Sequence, residues 1–136
     1  MGTWSHEPFG NDTASDWAYG LAEQKDFSLV EQALQGVLDN GAEYLDSDLA
    51  VEAVAASEVL AKALGRGTQT DAYTEEVDAW LKSLGIKPSA DLLSKARDAL
   101  TRVMAPESEL RELWEESDEF ESWESSIKTL QSAVGA

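Results

Sequence analysis

The sequence predicts an all-α protein, and three observations predict it. Apolar residues recur at helical spacing in segment after segment. Most such segments follow a Ser, Asp or Asn that can cap them, and several are stopped by glycine or proline. No stretch alternates apolar with polar residues or concentrates β-branched side chains as a strand would. At 136 residues the chain reads as one domain, residues 1–136, large enough to bury a sizeable core without covalent staples. About seven helices are expected, with an aromatic N-terminal loop packed on them.

That loop comes first. Residues 1–12 carry Trp4 and Phe9, but Gly2, Pro8 and Gly10 interrupt any regular helix or strand. Trp4 and Phe9 are expected to be buried and to plug the helices together. Asn11 or Asp12 can then cap a helix starting near Thr13, with Ala14, Trp17 and Leu21 on one side and Asp16 in its first turn, where negative charge suits the helix dipole. Ser28 and Glu31 form a capping-box pattern ahead of Leu29, Val30, Ala33, Leu34, Val37 and Leu38, and Asn40-Gly41 closes that helix.

Tyr44-Leu45 is a short apolar bridge. Ser47 can cap the alanine-rich run from Asp48 to Leu64, which reads as the central helix because Ala53, Ala56, Ser57 and Ala61 keep its inner stripe small. Gly65-Arg66-Gly67 stops it, and Gly67 to Asp71 reads as a polar, mobile connector. Val77, Trp80, Leu81 and Leu84 define the next helix, closed by Gly85. Ser89 caps the run Ala90 to Ala105, and Pro106 ends it. Ser108 can cap a short helix bearing Leu110, Leu113 and Trp114, and Asp118 or Glu119 opens the last one, with Phe120, Trp123, Ile127, Leu130 and Val134. The helix pairs Ser28 to Leu64 and Thr74 to Ala105 share no fixed period, so they are not solenoid repeats.

Charge narrows the function. Ten basic against 27 acidic residues leave a net charge of −17. From Glu107 to Glu124 nine acids face one base, Arg111, so this stretch alone carries −8. Nucleic-acid binding is disfavoured, since phosphate contacts come from Lys and Arg, whereas a basic protein would be drawn in and its arrival accelerated. Cysteine is absent, which removes disulfides and thiolate chemistry and fits a reducing cytosol. Neither a signal-peptide pattern nor an apolar run of membrane-spanning length is present, so a soluble cytoplasmic protein is expected.

Catalytic and metal-binding patterns are weak. His6 is the sole histidine; with Glu7, Asp12 and Asp16 it offers ligand types for a divalent cation, but the spacing is unlike a calcium loop, and capping and dipole roles account for Asp12 and Asp16 equally well. Adjacent carboxylates such as Glu75-Glu76 and Glu115-Glu116 diverge on a helix, and no Gly-x-Ser-x-Gly nucleophile motif occurs. Gly65-Arg66-Gly67 lacks the rest of a phosphate cradle. No bound metal or cofactor is expected. The stretch Leu110 to Trp123 stands out instead: Trp114, Phe120 and Trp123 are expected in the core, with Glu112, Glu115, Glu116, Asp118, Glu119 and Glu121 outside as the rim for a basic partner.

Gly2-Thr3-Trp4, Phe9, Asn11-Asp12, Ala14 and Asp16-Trp17 resemble the opening of a bacterial family, the domain of unknown function 4259 family, whose members typically begin Gly-Thr-Trp-Gly-x-Gly-x-Phe-Asp-Asn-Asp. Tyr44-Leu45, Ser108-Glu109-Leu110 and Leu113-Trp114 extend the resemblance over nearly the whole chain. Ser5 and Glu7 stand where the family has glycine, and Gly10 where it usually has an acid. The family has no assigned activity, and its look is similar to small neighbour proteins of bacterial toxin systems. The resemblance and the charge together imply a non-enzymatic immunity protein, monomeric or a small homo-oligomer, that neutralises a basic toxin such as a nuclease. The alternative is a small enzyme or metal-binding module centred on the N-terminal loop. A homo-oligomeric structural protein would need its interface away from the Glu107 to Glu124 stretch.

Overall fold

The computed structural model describes residues 6–135, in which seven α-helices are joined by short connections. They are α1 (Asp12–Tyr19), α2 (Ser28–Asn40), α3 (Ser47–Ala63), α4 (Glu75–Leu84), α5 (Ala90–Met104), α6 (Glu109–Glu115) and α7 (Phe120–Ala133). Two short 3-10 turns, Gly20–Glu23 and Ala72–Thr74, precede α2 and α4.

The central position of α3 follows from its composition. Ala50, Val51 and every residue from Ala53 to Ala61 are buried, so this helix is covered all round, and it packs against each of the other six. Small side chains let the neighbours approach; α2 and α5 contribute Val30, Leu34, Val37, Leu100 and Val103 to the same core.

Helices α1, α3, α5 and α6 start where a polar side chain satisfies one of the first unpaired backbone N–H groups, whereas the N-caps of α2, α4 and α7 (Phe27, Thr74 and Glu119) make no such bond. Asn11 Oδ1 accepts from Ala14 N–H at 2.8 Å, Ser89 Oγ from Leu92 N–H at 3.1 Å, and Ser108 caps α6. Two caps differ from the sequence pattern. Asp46, one residue before Ser47, accepts from Asp48 N–H at 2.7 Å and starts α3. Asp26 Oδ1 accepts from Ser28 N–H at 2.9 Å, while Ser28 already lies inside α2, so the capping box does not form. The Ser28 hydrogen bonds, side chain first, hold the Asp26 carboxyl below its ordinary value. Gly85 closes α4 in the left-handed conformation (φ 65°), and Gly41 and Gly65 take positive φ beyond the ends of α2 and α3.

The N-terminal plug is seen from His6 onward. Phe9 is fully buried, its N–H donates to Gln69 Oε1 at 2.8 Å, and Ser126 Oγ donates to the His6 carbonyl at 3.3 Å. Trp17 is half-buried against the core. Gly2, Thr3 and Trp4, and with them the expectation for Trp4, lie outside the described residues. Glu7, which replaces a family glycine, does not adopt positive φ, so no glycine is required there.

One seam lies outside the helices. Leu45 and Ser108 form an isolated parallel β-bridge, with Leu45 N–H donating to Glu107 O at 2.7 Å and Glu109 N–H to Leu45 O at 2.9 Å. Arg102 clips the same seam: its guanidinium donates to the carbonyls of Gly41, Glu43, Pro106 and Glu107 at 2.6 to 3.2 Å. Glu107, at φ 65°, is the non-glycine residue with positive φ among the described residues.

Candidate functional site

Three places bring charged or polar side chains together. At the α6–α7 edge, the amphipathic pattern works as read from the sequence. Leu110, Trp114, Trp123, Ile127 and Leu130 turn inward and are buried. Phe120 is half-buried and packs on Trp123 (ring centroids 5.8 Å apart), with the Arg111 guanidinium 5.5 Å above the Phe120 ring. Glu112, Glu115, Glu116, Asp118, Glu119 and Glu121 are all exposed.

The six acids are not equivalent. Glu112 Oε1 accepts from Tyr44 Oη–H at 2.8 Å, and this hydrogen bond, with burial and the neighbouring carboxylates behind it, pushes the Tyr44 hydroxyl up to about 12. Glu115 lies 3.7 Å from Arg111, which also donates to the Met104 carbonyl. Glu116, Asp118, Glu119 and Glu121 have no cation beside them among the described residues. Glu109, outside the expected rim, is structural: Oε1 accepts from Ser47 N–H at 2.9 Å.

Around the N-terminal loop, His6, Glu7, Pro8, Asn11, Trp114 and Trp123 border a cavity of about 20 Å³ beneath the same edge. His6 Nδ1 is buried without a hydrogen-bond partner. Asp12 and Asp16 are exposed on α1 and do not border this cavity, so the possible ligand set of His6, Glu7, Asp12 and Asp16 is not brought together. Among the described residues no group of three or more His, Asp or Glu side chains is placed to hold a metal ion.

The third place was not legible as a site. Glu58, on α3, is completely buried. Its carboxylate accepts from Thr68 Oγ1 at 2.6 Å, Thr68 N–H at 2.8 Å and Gln69 N–H at 2.9 Å. Lys62, one turn on and only 5% exposed, reaches within 4.0 Å of Glu58, donates to the Gln69 carbonyl, and pairs with Asp78 of α4 at 2.8 Å. Asp78 in turn accepts from Thr74 Oγ1 at 3.0 Å, and Gln69 Nε2 donates to Asp71 at 3.0 Å. Burial pushes the Glu58 carboxyl above its ordinary value; the bonds from Thr68 and Gln69 and the Lys62 charge oppose this.

The Gly67 to Asp71 connector, read from the sequence as mobile, is therefore strapped onto α3 by Glu58. Gly67 permits this closeness, because a Cβ there would lie 2.6 Å from Lys62 Cγ. The signal in the sequence was Glu58 and Lys62 at i and i+4 in the second half of an alanine-rich helix. Beside the network, a groove of about 370 Å³ opens between the end of α3 and the end of α4.

The separate sequence motifs meet in space. Tyr44-Leu45 and Ser108-Glu109, 64 positions apart, are joined by the β-bridge, by the Tyr44 to Glu112 bond and by Glu109 reaching Ser47. The described part of the opening motif rests, through His6 and Asn11, on the cavity lined by Trp114 and Trp123. No curated protein and no solved structure matches the chain. The model of the domain of unknown function (DUF4259) matches residues 2–126 of the 136, and the chain belongs to that family.

Proposed function

We propose that this is a non-enzymatic, acidic protein-binding protein, and most concretely an immunity protein that neutralises a basic toxin such as a nuclease. One observation carries the reading. Glu116, Asp118 and Glu119, in the turn between α6 and α7, and Glu121, in the first turn of α7, are exposed with no ion-pair partner among the described residues, next to the packed Phe120 and Trp123 rings. Unpaired carboxylates keep their field for a partner and raise association rates. Glu112 and Glu115 border this edge but are engaged by Tyr44 and Arg111, so they form its flank. The test is a pull-down from native cells at low and raised salt, comparing the wild type with a variant carrying Glu116→Gln, Asp118→Asn, Glu119→Gln and Glu121→Gln. Retention of a basic protein by the wild type alone, and its loss on raising salt, is expected. Equal retention by both would overturn the reading.

A second reading, a small enzyme or divalent-metal-binding module centred on the N-terminal loop, has one specific observation in its favour. The unpartnered His6 Nδ1, beside Glu7 and Asn11 at a cavity of about 20 Å³, supports its metal-binding form. Elemental analysis of protein purified without chelator separates the two: about one ion per chain, lost in His6→Ala, favours the second.

A further inference from the structure

We propose that the groove between the ends of α3 and α4 binds a small organic anion, a monocarboxylate with a short aliphatic tail. The chain has ten lysine and arginine residues. Seven are engaged within the molecule: Lys62, Lys95 and Lys128 by carboxylates, Arg66, Arg97 and Arg102 by carbonyls, and Arg111 by both. Lys25, Lys82 and Lys87 have no partner among the described residues. Two of these three border the same groove.

Lys82 lies in the last turn of α4, where a cation also offsets the helix dipole. Lys87 has no such explanation, because it sits beyond the helix end, in the turn leading to α5. With Lys62 at the base and Asp78 neutralising it, the lining carries a net +2 on a molecule of −17, so the sign of the local charge inverts here.

The rest of the lining is apolar. Leu81, Ala63 and Ile86 line it, and Ile86, 43% exposed, is one of the few large hydrophobic side chains left in water. Two ammonium groups beside an aliphatic surface fit a carboxylate head and an alkyl tail. A volume of about 370 Å³ suits a small molecule.

Octanoate is the probe, added to the full-length ¹⁵N-labelled protein and followed by NMR, with octanol and inorganic phosphate as comparisons. Saturable shifts of the Leu81 to Lys87 amides with octanoate are expected, and roughly tenfold weaker binding in Lys82→Gln/Lys87→Gln, whose exposed positions leave the fold intact. Ile86→Ser should also weaken octanoate while sparing any phosphate effect. Absence of saturable shifts at these amides overturns the proposal. Equal binding of octanol, or of octanoate by the double lysine variant, does so as well. Phosphate binding as tight as octanoate removes the apolar half and overturns it in this form. Self-association abolished by the double variant would assign the groove to the acidic edge of a second copy and contradict the proposal.

Discussion

Two clusters of charge in this molecule have opposite fates. At the α6–α7 edge, Glu116, Asp118, Glu119 and Glu121 stand in water with no ion-pair partner among the described residues. Under the Gly67–Asp71 strap, Glu58 is sealed from water and receives three hydrogen bonds with a lysine nearby. The first arrangement adds little to folding, because exposed charges are well solvated in either state. The second is costly to assemble, and costlier to break, because a buried charge that loses its partners cannot turn to water. Charge outside is thus available for binding, and charge inside fixes a loop.

The largest effect is expected inside. Glu58→Ala removes the acceptor for two backbone N–H groups and a hydroxyl and leaves Lys62 less compensated, for a loss of about 3–5 kcal/mol by denaturant unfolding. Amide exchange at Thr68 and Gln69 should accelerate in the same variant. A midpoint close to wild type would mean that the strap is held by other contacts.

Phe9→Ala should cost a similar ~3–5 kcal/mol, since the ring is fully buried and its loss leaves a cavity. An unchanged midpoint would contradict the plug. Next comes Arg102→Ala, which strips donors from four carbonyls of the Leu45–Ser108 seam. About 1–3 kcal/mol is expected, because several of those carbonyls can reach solvent instead.

A pH series sharpens the contrast. Burial raises the folded-state Glu58 carboxyl above its ordinary value of 4.5. A carboxyl raised on folding contributes stability that is fully present below the unfolded value and is lost as pH rises through the folded value. Stability relative to Glu58→Gln, which cannot titrate, should therefore be greatest at or below about pH 4.5 and decline towards neutrality. A difference independent of pH, or one growing with pH, would contradict the burial argument. The exposed edge should show the smallest effect on folding: neutralising its four unpaired acids should hardly move the unfolding midpoint.

This contrast also explains what could be read in advance. Helices were legible because caps and apolar periods are local, so Ser89, Ser108 and the stripe of α7 fell where expected. Asp46 and Asp26 displaced the expected caps by one or two residues, since neighbouring Asp and Ser compete for the same N–H groups. The acidic edge was legible because exposure follows from composition. Glu58 was not, because it lies off the inner stripe of α3, and only the fold shows that this helix is covered on that side as well. The strap looked mobile because its residues are polar, and only the fold shows that Thr68 and Gln69 have their acceptor ten and eleven positions back. Pairings across 60 or more residues, such as Phe9 with Gln69 or Tyr44 with Glu112, leave no local trace.

The division of labour proposed for the two clusters is tested most directly by the association rate with any basic protein that the pull-down recovers, measured by stopped flow at low and at physiological ionic strength. The wild type should bind about tenfold or more faster at low salt, and the four-residue neutralised variant should bind slowly with little salt dependence while unfolding like the wild type. A rate indifferent to both the substitutions and the salt would contradict the account and move the binding surface away from the α6–α7 edge.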